Sequence, residues 1–186
     1  MSQTSESNLN DEIDVLIEIS KGSNVKYEMD FKTSKLTVDR KLSTSMYYPY
    51  NYGFIPNTED STGDPVDVFV LGDDPFEPMS IIRSRPIAVL LTEDQGGPDP
   101  KIIAAHIDKV DPSFSNVSNL NGIQNYICAT LEHFVLHHKD LEKGKYVKIV
   151  GWKDKEFAKE IISEAIERCS KQKSPHNIYT QMEKFY

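Results

Sequence analysis

A chain of 186 residues with a formal net charge of −8 is long enough for one domain with a buried core. Its acidity excludes a general binder of nucleic acid or of an anionic membrane, since both rely on a basic surface. No apolar stretch reaches the length needed to cross a bilayer, and the opening MSQTSESNLNDE has neither the apolar stretch of a secretory signal nor the arginines of a transit peptide. Two cysteines without paired spacing, Cys128 and Cys169, read as reduced thiols or small packing residues, so a cytoplasmic location is expected.

Taken in chain order, β-type runs rich in branched residues are predicted at 13–19, 25–29, 36–40, 66–71, 80–91 and 101–107, with another at 146–152. Gly, Pro, Asp and Asn clusters separate them. Helical period replaces alternation at 122–139, where Ile123, Ile127, Leu131, Phe134 and Val135 share a face. It does so again at 154–171, where Phe157, Ala158, Ile161, Ile162, Ala165, Ile166 and Cys169 oppose Lys and Glu. Strands followed by two late helices predict an α+β fold, a small closed OB-like β-barrel flanked by two helices in the C-terminal half. Residues 13–171 form the expected single domain, between a polar extension at 1–12 and a second extension at 172–186.

The stretch STGDPVDVFVLGDD, 61–74, sets Asp64 and Asp67 at the mouth of a strand. Alternation puts Asp67 on one face with Phe69 and Leu71, and Val66, Val68 and Val70 on the other. An ionised carboxylate among apolar neighbours is costly unless a cation or dense hydrogen bonding compensates it. A second acidic stretch, TEDQGGPDPK, carries Glu93, Asp94 and Asp99 among glycines and prolines. Hard divalent ions such as Mg²⁺ want such oxygen ligands, although either stretch alone reads equally as a polar loop. Lys26 and Glu28 share a strand face, Arg40 precedes a run containing Tyr47, Tyr48, Tyr50 and Tyr52, and Lys139 and Lys143 follow the first helix. Cations and phenols beside metal-binding carboxylates suit a phosphate-bearing anion. His133 and His137 have the spacing of a zinc pair but lack a third ligand, and Trp152 reads as a packing residue.

These motifs together resemble the soluble family I inorganic pyrophosphatases. The resemblance runs from about Ile13 to Arg168 and rests on the order of IEI, VKYE, VDR, YPYNYGFIPNT, GDPVDVFV, RPIAVL, EDQGGPDPK and HKDLEKGKYVKIVGW. It implies hydrolysis of pyrophosphate to two phosphates with several Mg²⁺ ions, in a cytoplasmic homo-oligomer, by family habit a homohexamer. Position by position, it implies Asp67, Asp94 and Asp99 as metal ligands and Asp64 as the carboxylate that helps deprotonate the attacking water. Lys26, Arg40, Tyr52 and Lys139 match phosphate-binding positions, and Glu18, Glu28, Tyr48 and Lys101 match supporting ones.

Two positions depart from the family pattern. Thr62 stands where the signature places an aspartate, and His138 stands where a phosphate-binding tyrosine precedes the lysine. Thr62 is expected to weaken a metal site, with Asp60 near enough to reach in. His138 is expected to donate as the phenol would, or to add a cation below about pH 7. These departures give the alternative to a full enzyme: a catalytically weak relative that binds metal or pyrophosphate, or serves as an assembly subunit.

Overall fold

The computed structural model describes residues 11–172, so the expected extensions at 1–12 and 172–186 lie almost wholly outside the described residues. Nine strands form in chain order: β1 (Ile13–Ile19), β2 (Val25–Asp30), β3 (Lys35–Lys41), β4 (Asn51–Phe54), β5 (Asp67–Leu71), β6 (Ile81–Asp94), β7 (Gly97–Pro98), β8 (Lys101–His106) and β9 (Val147–Asp154). Two α-helices, α1 (Asn125–His137) and α2 (Lys155–Gln172), flank β9, and short 3-10 turns occur at Pro112–Phe114 and Leu120–Gly122.

Five strands close a ring in the order β1-β4-β5-β8-β6 and back to β1, with β7 and β9 both added to β6. Every ring pairing is antiparallel except β5 with β8, which is parallel. β2 and β3 form a separate antiparallel hairpin. The arrangement meets the expectation of an α+β, OB-like sheet closed on itself and flanked by two helices.

Alternation along β5 explains why it has no solvent face. Phe69 and Leu71 pack in a core with Tyr48, Tyr52 and, from α1, Leu131 and Phe134. Val68 and Val70 pack in a second core with Ala158, Ile162 and Ala165 of α2. Burying both faces makes the register of β5 strict, because a slip of one residue would exchange the two sets.

Two differences from the sequence reading shape the site. β4 was hidden in the tyrosine-rich run; it forms because Gly53 lets β1 cross close by. A Cβ on Gly53 would overlap the Leu16 carbonyl, lying 2.8 Å from its carbon and 2.9 Å from Ile17 Cα. β6 runs on to Asp94, beyond the expected end at 91, because β9 pairs with its last turn through Thr92↔Ile149 and Asp94↔Val147. The acidic stretch after it is therefore a tight hairpin, Asp94↔Gly97, rather than a free loop.

Both helices form where the periodicity placed them. On α1, Ile127, Leu131, Phe134 and Val135 are buried. α2 begins where Asp154 Oδ1 accepts the Phe157 N–H at 3.1 Å, and Glu156 and Lys171 suit the two ends of its dipole. Its buried residues are Ala158, Ile162, Ala165 and Cys169, whereas Phe157 and Ile166 stay 37% and 41% exposed. The apolar stripe of α2 is thus wider than the sheet surface beneath it.

Candidate active site

One cavity of about 300 Å³ opens where the start of β5, the β6–β7 hairpin and the end of α1 meet. Asp60, Asp64, Asp67, Asp94 and Asp99 contribute carboxylates to its wall, and Lys26, Lys101 and Lys139 contribute ammonium groups. Tyr48, Tyr52, Thr62, Gln95 and His138 add further polar groups to its lining. A second cavity of about 370 Å³ shares Lys26, Tyr52, Asp64 and Asp67 with the first and adds Glu18 and Glu28.

The parallel register of β5 and β8 sets Asp67 opposite Lys101. Lys101 Nζ bonds the Asp67 carboxylate, lies 2.5 Å from Asp99 Oδ1 and 3.3 Å from Tyr52 Oη. Burial pulls this ammonium down, but Asp67 and Asp99 together push it above the ordinary lysine value. Lys139, just past α1, reaches back to Asp94 at 2.9 Å. Burial pushes the Asp94 carboxyl up; the bond from Lys139 and that from the Gly96 N–H outweigh it and hold the group below its usual value.

Tyr52 and Tyr48 are phenols held neutral. Burial chiefly, and then Asp67, pushes both well above the ordinary tyrosine range. Glu18 is also held in its neutral form: burial first and Asp67 second raise it to about 8, against a bond accepted from the Met29 N–H at 2.8 Å. On the hairpin, Lys26 bonds Glu28.

The loop carrying Asp64 is organised by Asp60. Its Oδ1 accepts from the Thr62 N–H and hydroxyl, both at 2.7 Å, from Gly63 N–H at 3.0 Å and from Asp64 N–H at 3.2 Å. The Asp60 N–H in turn donates to Asp64 O at 2.7 Å. Thr62 thus spends its hydroxyl hydrogen on Asp60, and the two side chains form a hydrogen-bonded pair.

His138 corrects a sequence expectation. Its Nδ1 lies 3.0 Å from both Phe134 O and Val135 O, and its ring stacks on Phe134 with centroids 4.9 Å apart at 13°. Burial, and then Lys139, lowers its pKa to about 4. The ring is therefore neutral near pH 7, and its one N–H is given to backbone. The lowered pKa thus disfavours the added cation expected just below pH 7, and the Nδ1 hydrogen is turned to the backbone instead of being offered as the phenol's would be.

A model of the family described as inorganic pyrophosphatase matches residues 15–170. The chain belongs to the inorganic pyrophosphatase family. An inorganic pyrophosphatase from Sulfolobus acidocaldarius is 48% identical over 163 residues, 88% of this chain and 94% of that one. Another, from Saccharolobus solfataricus, is 49% identical over 158 residues, 85% of this chain and 92% of its own. Among solved structures, the inorganic pyrophosphatase of Helicobacter pylori superposes with a TM-score of 0.85 at 42% identity, covering 91% of this chain and 99% of that one. The Thermus thermophilus pyrophosphatase gives 0.84 at 31% identity, covering 91% and 97%.

Within the pyrophosphatase fold, the main cavity gathers every residue that the resemblance and the two departures from it gave a place in the site, except Glu18, Glu28 and Arg40. Glu18 and Glu28 line the adjoining cavity instead. Arg40 lines neither; it is tied to Asp39 and, at 3.0 Å, to Glu142. Lys143 is also outside both. The zinc-like pair is not supported: His137 Nδ1 faces Asp140 at 2.8 Å, and among the described residues no three His, Cys, Asp or Glu side chains converge on one ion. Trp152 packs against the core and donates to Glu132 at 2.6 Å, as a packing residue should. Sequence reasoning missed Phe134 as the platform for His138, though its spacing of four residues on a helix signals the contact. It also missed Glu142 as the partner of Arg40.

The donor set suits a divalent cation. Carboxylate oxygens line the cavity, and Asp67, Asp94 and Asp99 each face an ammonium group whose charge a divalent cation would share, although among the described residues the carboxylates do not converge on one point.

Proposed function

We propose that the chain hydrolyses inorganic pyrophosphate to two orthophosphates with Mg²⁺. The observation that carries this reading is the single cavity in which five carboxylates face three lysines: a polyanion and its counterions are bound by opposite charges set side by side. In the fully deprotonated form the balance is P₂O₇⁴⁻ + H₂O → 2 HPO₄²⁻. Asp67, Asp94 and Asp99 hold the ions, which when bound supply charge neutralisation and Lewis-acid activation of water.

The chain's own groups do the rest. Asp64, fixed by the Asp60 loop, takes the proton of the attacking water. Lys26 and Lys139 neutralise the phosphate oxygens as point charges, and the neutral Tyr52 contributes a hydroxyl without adding charge. Arg40, held beside Lys26 through Asp39, serves the leaving phosphate once it exchanges that carboxylate for the anion. Glu18, Glu28, Tyr48 and Lys101 keep these groups in place, so catalysis is positioning and charge stabilisation.

Residues 13–171 serve as the one catalytic domain. The assembly is a homo-oligomer, a homohexamer in the first instance, and works in the cytoplasm; the exposed Phe157 and Ile166 on α2 support self-association. Phosphate release from pyrophosphate across a Mg²⁺ titration tests the activity, with Asp67→Asn as the control. Turnover that requires the ion and is abolished in Asp67→Asn is expected; ion-independent release, or no release, overturns the reading.

A further inference from the structure

His138 ends α1 with a ring whose two nitrogens are not equivalent. Nδ1 lies 3.0 Å from each of two backbone carbonyl oxygens, and carbonyls only accept, so Nδ1 carries the hydrogen. A neutral imidazole has one N–H, and here the helix's own backbone takes it. Nε2 is left with a lone pair and no hydrogen. His138 lines the cavity, and with the Nδ1 edge turned to the backbone and one ring face against Phe134, Nε2 is the polar atom left to it for a ligand there. The other side chains placed here for phosphate, Lys26, Lys139 and Tyr52, donate; this one accepts.

We propose that His138 is a specificity-determining residue whose Nε2 accepts a hydrogen bond from a P–OH, so that its subsite favours a tetrahedral anion carrying a hydroxyl over one with bare oxygens only. The inference rests on the proposed pyrophosphate hydrolysis and refines it. Fully deprotonated pyrophosphate offers Nε2 only lone pairs. Each hydrogenphosphate formed from it carries one O–H, gained from the attacking water. The acceptor therefore stabilises the product side of the reaction, or a singly protonated substrate, where a tyrosine hydroxyl would serve every protonation state.

Phosphate and sulfate separate these possibilities, because at mildly alkaline pH both are dianions of one shape and only phosphate carries a hydrogen. Their dissociation constants are measured by titration calorimetry on the full chain with saturating Mg²⁺. Wild type is expected to prefer phosphate by about tenfold or more, the scale of one buried hydrogen bond made against one refused. His138→Phe keeps an aromatic ring over Phe134 without an acceptor and should bring the ratio within about threefold of unity. His138→Tyr, which donates to either anion, should do the same, and His138→Gln, whose amide oxygen accepts, should keep part of the preference.

A wild-type ratio near unity, or one undiminished in His138→Phe, overturns the inference. If His138→Phe does not fold, equal ratios in the Tyr and Gln variants overturn it. Hydrolysis by wild type is measured alongside: its absence defeats the proposed function, whereas hydrolysis with a ratio indifferent to residue 138 defeats this inference alone.

Discussion

Replacing Lys101 by Met would keep the aliphatic stem and remove the ammonium group that Asp67 and Asp99 share. Lys101 is 9% exposed, so the two carboxylates would face each other with their cation gone. Breaking a buried ion pair costs about 3–5 kcal/mol. Asp67 and Asp99 keep side-chain exposures of 27% and 26%, and partial hydration places the loss at the low end, about 3 kcal/mol. For a domain of this size that is a fall of about 6–12 °C in Tm without metal. Mg²⁺ should then rescue the variant more than it raises wild type, because the ion meets two uncompensated charges. At a hundredfold excess over Kd, binding contributes about 2.7 kcal/mol, enough to offset most of the loss. Thermal denaturation with EDTA and with Mg²⁺ measures both quantities. A metal-free Tm within about 2 °C of wild type, or an equal Mg²⁺ gain in both proteins, would refute Lys101 as the internal counterion.

Glu18 makes stability depend on pH. Its carboxyl is raised from 4.5 to about 8, so the fold keeps a proton that the unfolded chain releases, and metal-free wild type should lose stability as pH rises through that window. Glu18→Gln is permanently neutral, so its advantage in Tm should be absent below pH 4.5 and widen up to about pH 8; a gap constant across the range would contradict the assignment. Asp60→Asn keeps an oxygen for the four donors that position Asp64, while Asp60→Ala does not. Turnover should fall at least about tenfold further in the alanine variant, since small misplacements of catalytic groups cost up to about 10²-fold; equal losses would remove the positioning role. Gly53→Ala should cost more than about 4 kcal/mol by forcing β1 off β4, and a denaturant midpoint near wild type would show that the ring tolerates the overlap.

Four of the five ring strands and both helices were legible because their cause is local. Alternation at Val66–Leu71 and the four-residue spacing of Ile127, Leu131 and Val135 announce buried faces directly. β4 was not, because its cause is a crossing: Gly53 matters through Leu16, which lies on another strand. The length of β6 was likewise set by β9, some fifty residues downstream. At the site, the carboxylates could be read from their stiff Pro- and Gly-rich surroundings. Which cation each one meets could not, since Asp67 and Lys101 are 34 positions apart and Asp94 and Lys139 are 45 apart. His138 shows the limit most plainly. Residue type allowed a donor, an acceptor or a cation, and only the carbonyls of Phe134 and Val135 decide among them.

The closed ring also decides when the site can exist during folding. Asp67 meets Lys101 only after β8 has joined β5, and Asp94 meets Lys139 only after α1 has swung back over the sheet. Asp94 and Asp99 share one local hairpin, but Asp67 joins them only through the β5–β8 and β6–β8 pairings, so the full set of carboxylates waits for those contacts. Interactions made after the transition state leave the folding rate almost untouched and slow unfolding instead. A cation held by Asp67, Asp94 and Asp99 would on this reasoning act as a latch fastened last, lengthening the lifetime of the native state rather than hastening its arrival.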